Sequence, residues 1–411
     1  MNILFVHANF PGPYAELALA LAASGHRIVA LSALAAPPGL DPAIQVVRFA
    51  IQRASAKDLH PWVSEIEAKT IRGEASAQAM LAVGRAGFTP DVIVASSAFG
   101  EAMFAKDVFP GALLILSTEF HHTPRGLDAG FDNEFQKPSL AIDASTRLRS
   151  ALNLMSLDAM DWGIAPTHWQ RSTIPATFHS KITVIHEGID TAVFRPDPSA
   201  SMRLGRNNHL VRAGDEVVSF VSRTLDPYRG FHIFMRALPD VLRQRPQSIA
   251  LIVGGKGISF PPGRPDRSNF DRIMDEVKGE LDLSRVFFLG RVSSQVLQTV
   301  LQVSKVHVAL SYPAATSRSL IEAMSVGALV VGSQTPPVQE LVSHAKNGIL
   351  VNFFDVHEFT TAVVYGLSGP VGMQGLRHQA RADVVQRYDL KSICLPRQMA
   401  LISGLAGRRK K

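Results

Sequence analysis

Short apolar runs separated by longer amphipathic stretches set the pattern of this chain from end to end. Runs rich in Val, Ile, Leu and Ala read as strands buried on both faces, and the stretches between them carry apolar residues at helical spacing. In the first half the runs are NILFV, RIVALSA, QVVRFA, DVIVAS, ALLILS, WGIAP and KITVIH. In the second half they are EVVSFVS, IALIVGG, RVFFLG, KVHVAL, ALVVGS and GILVNF. Strands that alternate with helices predict repeated βαβ units and parallel sheets. Between the halves, EGIDTAVFRPDPSASMRLGRNNHLVRAGDE is rich in Pro, Gly, Ser and Asn and keeps no period, so it reads as an interdomain linker. The expected organisation is α/β, with a Rossmann-like domain over residues 1–195 and a second over 196–385. The helical segment 386–411 follows the last strand and is expected to cross back to the first domain. Two doubly wound parallel sheets facing across a cleft bind ligands beyond the carboxyl ends of their strands, so residues just past strands are the candidates.

Composition narrows the partners. A chain of 411 residues suits two domains rather than one core. Hydrophobic residues at 46% against 19% charged describe well-buried domains and exclude disorder. A net charge of +7 and a pI near 9.6 favour anionic partners: phosphates, acidic lipid headgroups or nucleic acid. Aromatic residues make up only 7% and do not interleave with basic ones, so no nucleic-acid partner is expected. Cys394 is the single cysteine, which excludes an intramolecular disulfide and makes a reducing cytoplasm the expected location. The N-terminal run is too short and too weakly basic for a signal peptide, and no run approaches the length of a membrane span. The tail GRRKK, ending in Lys410 and Lys411, allows peripheral attachment to the anionic inner face of a membrane, though a solvated end is the plainer reading.

Candidate chemistry gathers after strands. Gly12 precedes a helix that starts near Pro13, where a glycine lets backbone approach an anion at a helix N-terminus; a simple turn explains it equally. After ALLILS comes TEFHH, with Glu119, His121 and His122. The plainer reading is one ring capping backbone and the other in solvent, and adjacent histidines do not share a helix face at metal-ligand spacing. Arg223 follows a strand, and Arg229 precedes Gly230, which opens a helix; two guanidinium groups beside a helix start suit a pyrophosphate. The run IALIVGG ends in Gly254 and Gly255, a strand-to-loop turn that matches neither a P-loop nor a dinucleotide fingerprint. In SYPAATSRSLIEAM, Ser319 and Glu322 fit a capping box, which leaves Thr316, Ser317 and Arg318 unexplained at a helix start able to hold phosphate.

Taken in order, FVSRTLDPYRGF, LIVGGKG, VFFLGRV, SRSLIEAMSVGALVVGSQTPPVQELV and NGILV resemble the C-terminal domain of family 4 retaining glycosyltransferases of the GT-B fold, and VIHEGIDTAVFRP resembles their linker signature. The first half is similar in architecture only. The resemblance implies that Arg223 and Arg229 hold the donor pyrophosphate and that Glu322 binds the ribose. It gives Ser319 and the backbone at Thr316 and Ser317 to the phosphates, and sets Gly255 and Val292 beside the base. In the first domain it implies that Gly12 faces phosphate or sugar and that His121 sits near the reacting carbon. The first glutamate of the family's Glu-seven-residues-Glu motif falls on Ala314. No Asp-x-Asp occurs in the chain, so no metal and no cofactor are expected, the substrate being a nucleotide-diphosphate sugar, UDP-linked, and the acceptor a hydroxyl of unspecified class. Two rivals stand beside this reading. One is a sugar-nucleotide 2-epimerase of the same architecture; the other is a nucleotide-sugar-binding protein weakened in transfer, which Ala314 keeps open.

Overall fold

The computed structural model describes residues 1–205, 208–257 and 268–409. Lys410 and Lys411 of the basic tail lie outside them. The chain forms two compact units, Met1–Gly188 together with Lys391–Lys411, and Ile189–Leu390. The first unit ends a few residues before the expected position 195 because Ile189 and Phe194 are already buried in the core of the second.

In the first unit β1 (Asn2–Val6), β2 (Arg27–Ser32), β3 (Ile44–Arg48), β4 (Val92–Ser96), β5 (Leu113–Ser117), β6 (Trp162–Ala165) and β7 (Ile182–Val184) form one sheet in the order β3-β2-β1-β4-β5-β6-β7. All neighbours run parallel. Alternation along each strand divides the core. Ile3, Phe5, Ile28, Ala30, Val92 and Val94 pack on one face with Leu17 and Leu21 of helix Ala15–Ala23 and with Ile402 and Ala406 of helix Leu395–Arg409. Leu4, Val6, Val29, Leu31, Ile93 and Ala95 pack on the other with Met80 and Val83 of helix Ser64–Arg85 and Leu157 of helix Leu140–Ala159. The strands therefore read as unbroken apolar runs, as a sheet covered on both faces requires. The C-terminal segment is held in this unit by polar bonds too: Gln398 Nε2 donates to the carbonyl of His186 at 3.0 Å, and Arg397 Nη2 to that of Val184 at 3.2 Å.

The second unit begins with an antiparallel hairpin, β8 (Ser201–Leu204) and β9 (His209–Arg212). It lies inside the stretch expected to be a linker. Its strands are short and set among turn residues, yet Leu204 and Val211 are buried with Val217, Leu251 and Val300. The main sheet contains β10 (Val217–Thr224), β11 (Ile249–Gly255), β12 (Val286–Gly290), β13 (Val306–Ala309), β14 (Leu329–Ser333) and β15 (Ile349–Val351), all parallel, in the order β12-β11-β10-β13-β14-β15. Every run predicted as a strand forms one. Both main sheets share one topology, in which the strand order reverses beside the first strand of each sheet, between β1 and β4 and between β10 and β13. Ligands of doubly wound sheets bind beyond the carboxyl ends at such a reversal.

Candidate functional site

At the reversal of the second sheet the carboxyl rim opens into a small cavity of about 10 Å³, room for about one water. Its walls include Val221 of β10, Ala309 of β13, and the polar residues Arg229, Ser311, Thr316, Ser317 and Ser319. Local geometry brings Arg229 here. A single turn of 3-10 helix, Pro227–Arg229, leads to Gly230, which takes the left-handed conformation (φ +72°) and opens helix Phe231–Gln244. A Cβ at Gly230 would stand 2.3 Å from that of Leu310, so this close approach requires glycine. Arg229 Nη1 donates to Ser311 Oγ at 3.0 Å and to the carbonyl of Ala315 at 2.8 Å, tying the loop after β13 to the turn after β10. Burial lowers the Arg229 pKa from its ordinary value.

Helix Arg318–Ser325 starts two residues earlier than a capping box on Ser319 requires. Its N-cap is Ser317, which makes no side-chain cap bond, and Ser319 lies inside the first turn. The Ser317 and Ser319 hydroxyls share a 2.8 Å hydrogen bond, and Ser319 Oγ reaches the carbonyl of Val221 at 3.4 Å. The capping-box explanation of Ser319 and Glu322 is thereby set aside, and the first-turn amides face the rim without a side-chain partner at the N-cap. Glu322 is buried, accepts a 2.8 Å bond from Arg318 Nε, and has its pKa raised by burial against the opposing pull of Arg318. Thr316 Oγ1 donates to the carbonyl of Pro337 at 3.3 Å. Ala314 is fully buried.

The rim continues over the neighbouring strand ends. Arg223 belongs to the last residues of β10 rather than to the loop after it, and its exposed guanidinium has no partner among the described residues. Gly255 pairs with Thr224, and a Cβ on it would lie 2.9 Å from Arg291 Nε. Val292, the next residue after Arg291, is half-buried against the hydrophobic cluster of β10 and β11. Arg223, Arg229, Gly255, Val292, Thr316, Ser317, Ser319 and Glu322 thus share one carboxyl rim. Sequence reasoning did not single out Ser311 or Arg291. Ser311 could have been found as the first polar residue past the strand at the reversal.

In the first unit Gly12 (φ +46°) opens a 3-10 turn, Gly12–Tyr14, with Pro13 inside it, continuous with helix Ala15–Ala23. A Cβ at Gly12 would meet the His7 ring at 2.7 Å. Tyr14 donates from its hydroxyl to Ser117 Oγ at 3.0 Å, linking this turn to the end of β5, just before Thr118, Glu119 and His121. The plainer reading, one ring capping backbone and the other in solvent, does not describe His121. Its ring is buried, its Nδ1 has no partner among the described residues, and its amide donates to Thr173 Oγ1 at 3.1 Å. Burial, with His122 adding, lowers its pKa, so the ring is neutral at neutral pH. His122 pairs with Asp128 at 2.9 Å. Glu119 is pushed up to about 7, by burial first and by Glu187 second. Glu101, past β4, is buried near the reversal of this sheet, and burial raises its pKa. Nothing in the sequence pattern marked Tyr14 or Glu101.

Two parallel, doubly wound sheets of like strand order, one with a cationic, hydroxyl-lined rim at its reversal, define a two-domain α/β protein of Rossmann-like architecture. The sequence families described as "Glycosyl transferase family 4 group" and "Glycosyl transferases group 1" match residues 24–194 and 215–368, and the chain belongs to these family 4, group 1 glycosyltransferases. The D-inositol 3-phosphate glycosyltransferase of Mycobacterium ulcerans is 25% identical over 276 residues, 64% of this chain and 56% of that protein. The chain spans about half the length of the first curated relatives it matches. Among solved structures, sucrose-phosphate synthase from Thermosynechococcus elongatus aligns with a TM-score of 0.74 at 19% identity, over 99% of this chain and 100% of that one. Anabaena Alr3699/HepE, in complex with UDP-glucose, aligns at 0.67 and 18% identity, over 98% and 99%. The fold is therefore GT-B, with two Rossmann-like domains. No helix among the described residues is long and apolar enough to cross a membrane.

Proposed function

We propose that the protein transfers a sugar from a nucleotide-diphosphate donor, UDP-linked, to a hydroxyl acceptor, with retention at the anomeric carbon and without a divalent metal. The observation that carries this reading is the second unit's rim, where Arg229, four hydroxyl residues and a helix start lacking a side-chain cap surround one cavity at the strand-order reversal. Such a rim suits a diphosphate: helix amides and guanidinium groups are aimed where the leaving group gains charge. Arg223 and Arg229 are assigned to the pyrophosphate, and Thr316, Ser317 and Ser319 to its oxygens. Glu322 accepts from ribose hydroxyls, and Gly255 and Val292 border the base. In the first unit Gly12 is assigned to phosphate or sugar. The neutral His121, with its buried and unpartnered Nδ1, is assigned to a hydroxyl near the reacting carbon.

The step balances without a protein nucleophile. The bond from the anomeric carbon to the diphosphate breaks, the acceptor oxygen bonds to that carbon on the same face, and its proton passes to the departing phosphate. Metal independence follows from the lack of an Asp-x-Asp in the sequence together with the cationic rim. Two assignments rest on charge and composition alone: the cytoplasmic location and peripheral attachment to an anionic membrane.

The test presents UDP-sugars with a panel of hydroxyl acceptors, in excess EDTA, and reads the product's anomeric configuration by NMR. Retained configuration at an undiminished rate is expected. Inversion, or a rate restored only by manganese, overturns the corresponding part of the proposal. Accumulation of a 2-epimer without acceptor would make the protein an epimerase instead.

A further inference from the structure

Arg318 occupies a position that local helix physics does not explain. It is the first residue of helix Arg318–Ser325, where exposed amides carry positive partial charge and a cation is disfavoured. An arginine four residues before a glutamate is also the weaker order for such a pair. Nor is the side chain held by burial, since 54% of it is exposed. What it does is donate from Nε to Glu322 Oε1 at 2.8 Å, while the Glu322 side chain is only 6% exposed. Arg318 is the one side chain among the described residues that bonds this carboxylate.

We infer that Arg318 is a positioning residue which keeps Glu322 charged and fixed, and thereby sets the selection of ribose over deoxyribose in the donor nucleotide. The inference rests on the proposed ribose role of Glu322. A carboxylate can accept from two vicinal hydroxyls at once, and a charged acceptor makes bonds about twice as strong as a neutral one. Buried without a cation beside it, the same group takes up a proton, turns one acceptor oxygen into a donor, and loses its fixed orientation. Discrimination against a missing hydroxyl is strong only where the site is built to bond it, so the pair, rather than Glu322 alone, sets the selectivity.

Calorimetric titration with UDP and 2′-deoxy-UDP tests this on the wild type and on Arg318→Leu, Arg318→Lys and Glu322→Gln. The wild type is expected to prefer UDP by about tenfold or more, Arg318→Leu to reduce the ratio to about twofold, and Arg318→Lys to restore most of it. Should Arg318→Leu fail to fold, Arg318→Gln, which keeps most of the stem, takes its place with the same expected loss. Retention of the full ratio without Arg318, when Glu322→Gln abolishes it, overturns this inference and leaves the ribose role standing. Retention of the ratio in Glu322→Gln overturns the ribose role itself, and so does a wild type that binds both nucleotides equally.

Discussion

The two units share a strand order and differ at the place where that order reverses. In the second, the turns after β10 and β13 stand apart around a cavity lined by Arg229 and the hydroxyls of Ser311, Ser317 and Ser319. In the first, the turns after β1 and β4 meet: the His7 and Phe99 rings stand edge to face at 6.2 Å, and Glu101 is buried. One sheet thus buries a carboxylate past its reversal, where the other sets an arginine among hydroxyls. The charges follow the same division. The second unit's rim offers Arg223, Arg229, Arg291 and Arg318, whereas the first unit gathers Glu101, Glu119 and Glu187 near Tyr14. One topology therefore carries a cationic rim in one copy and a carboxylate-rich one in the other.

The sharpest way to break this comparison is to remove the cations. Replacing Arg223 and Arg229 together with alanine should lower UDP affinity by at least about a hundredfold, since each charge-assisted contact contributes about 1.5–3 kcal/mol. Unchanged affinity in titration calorimetry would remove the pyrophosphate site from the second unit. Next come the two glycines that open the helices. Gly230→Ala drives a Cβ to 2.3 Å from Leu310 at φ +72° and should cost about 2–4 kcal/mol in chemical denaturation. Gly12→Ala meets the His7 ring, which can turn away, and should cost about 1 kcal/mol. Equal costs would show that the first unit's turn is as tightly held as the second's.

How much of this was legible in the sequence depends on what held each feature. Strands buried on both faces leave unbroken apolar runs, and all of those were readable. The hairpin Ser201–Leu204 and His209–Arg212 was not, because two four-residue strands among Pro, Gly and Asn carry too little alternation to stand out. At the site, spacing marked Arg229 and the hydroxyl-rich loop. Spacing also suggested a capping box for Ser319 and Glu322, where the true N-cap is Ser317 and the glutamate turns to Arg318. Contacts across the sheet, such as Tyr14 to Ser117 or His7 to Phe99, join residues about a hundred positions apart and leave no local trace.

His121 sharpens the comparison on the first unit's side. If the first unit contributes contacts to the sugar and none to the nucleotide, His121→Ala should lower turnover by about ten- to a hundredfold while UDP affinity stays within twofold. Parallel loss of UDP affinity and of folded yield would instead make the ring a structural member of the loop after β5.

The smallest expected effect concerns the acidic side of the same comparison. Glu119 is held at about 7, raised by burial and then by Glu187, from an ordinary value of 4.5. Its folded pKa lies above the unfolded one, so the native state binds the extra proton between those two values. The resulting stabilisation is complete below pH 4.5 and is lost as pH rises through 7. Glu119→Gln, which keeps the shape and removes the charge, should therefore match the wild type in Tm near pH 4.5 and exceed it at pH 8. The gain is on the order of 1–2 kcal/mol, or a shift of about 2–8 °C for a unit of this size. Burial raises Glu322 as well, against the pull of Arg318, so Glu322→Gln should diverge from the wild type in the same direction. If Glu119→Gln and the wild type keep the same Tm difference at both pH values, Glu119 titrates alike in the folded and unfolded chain, and the first unit's rim retains no extra proton there.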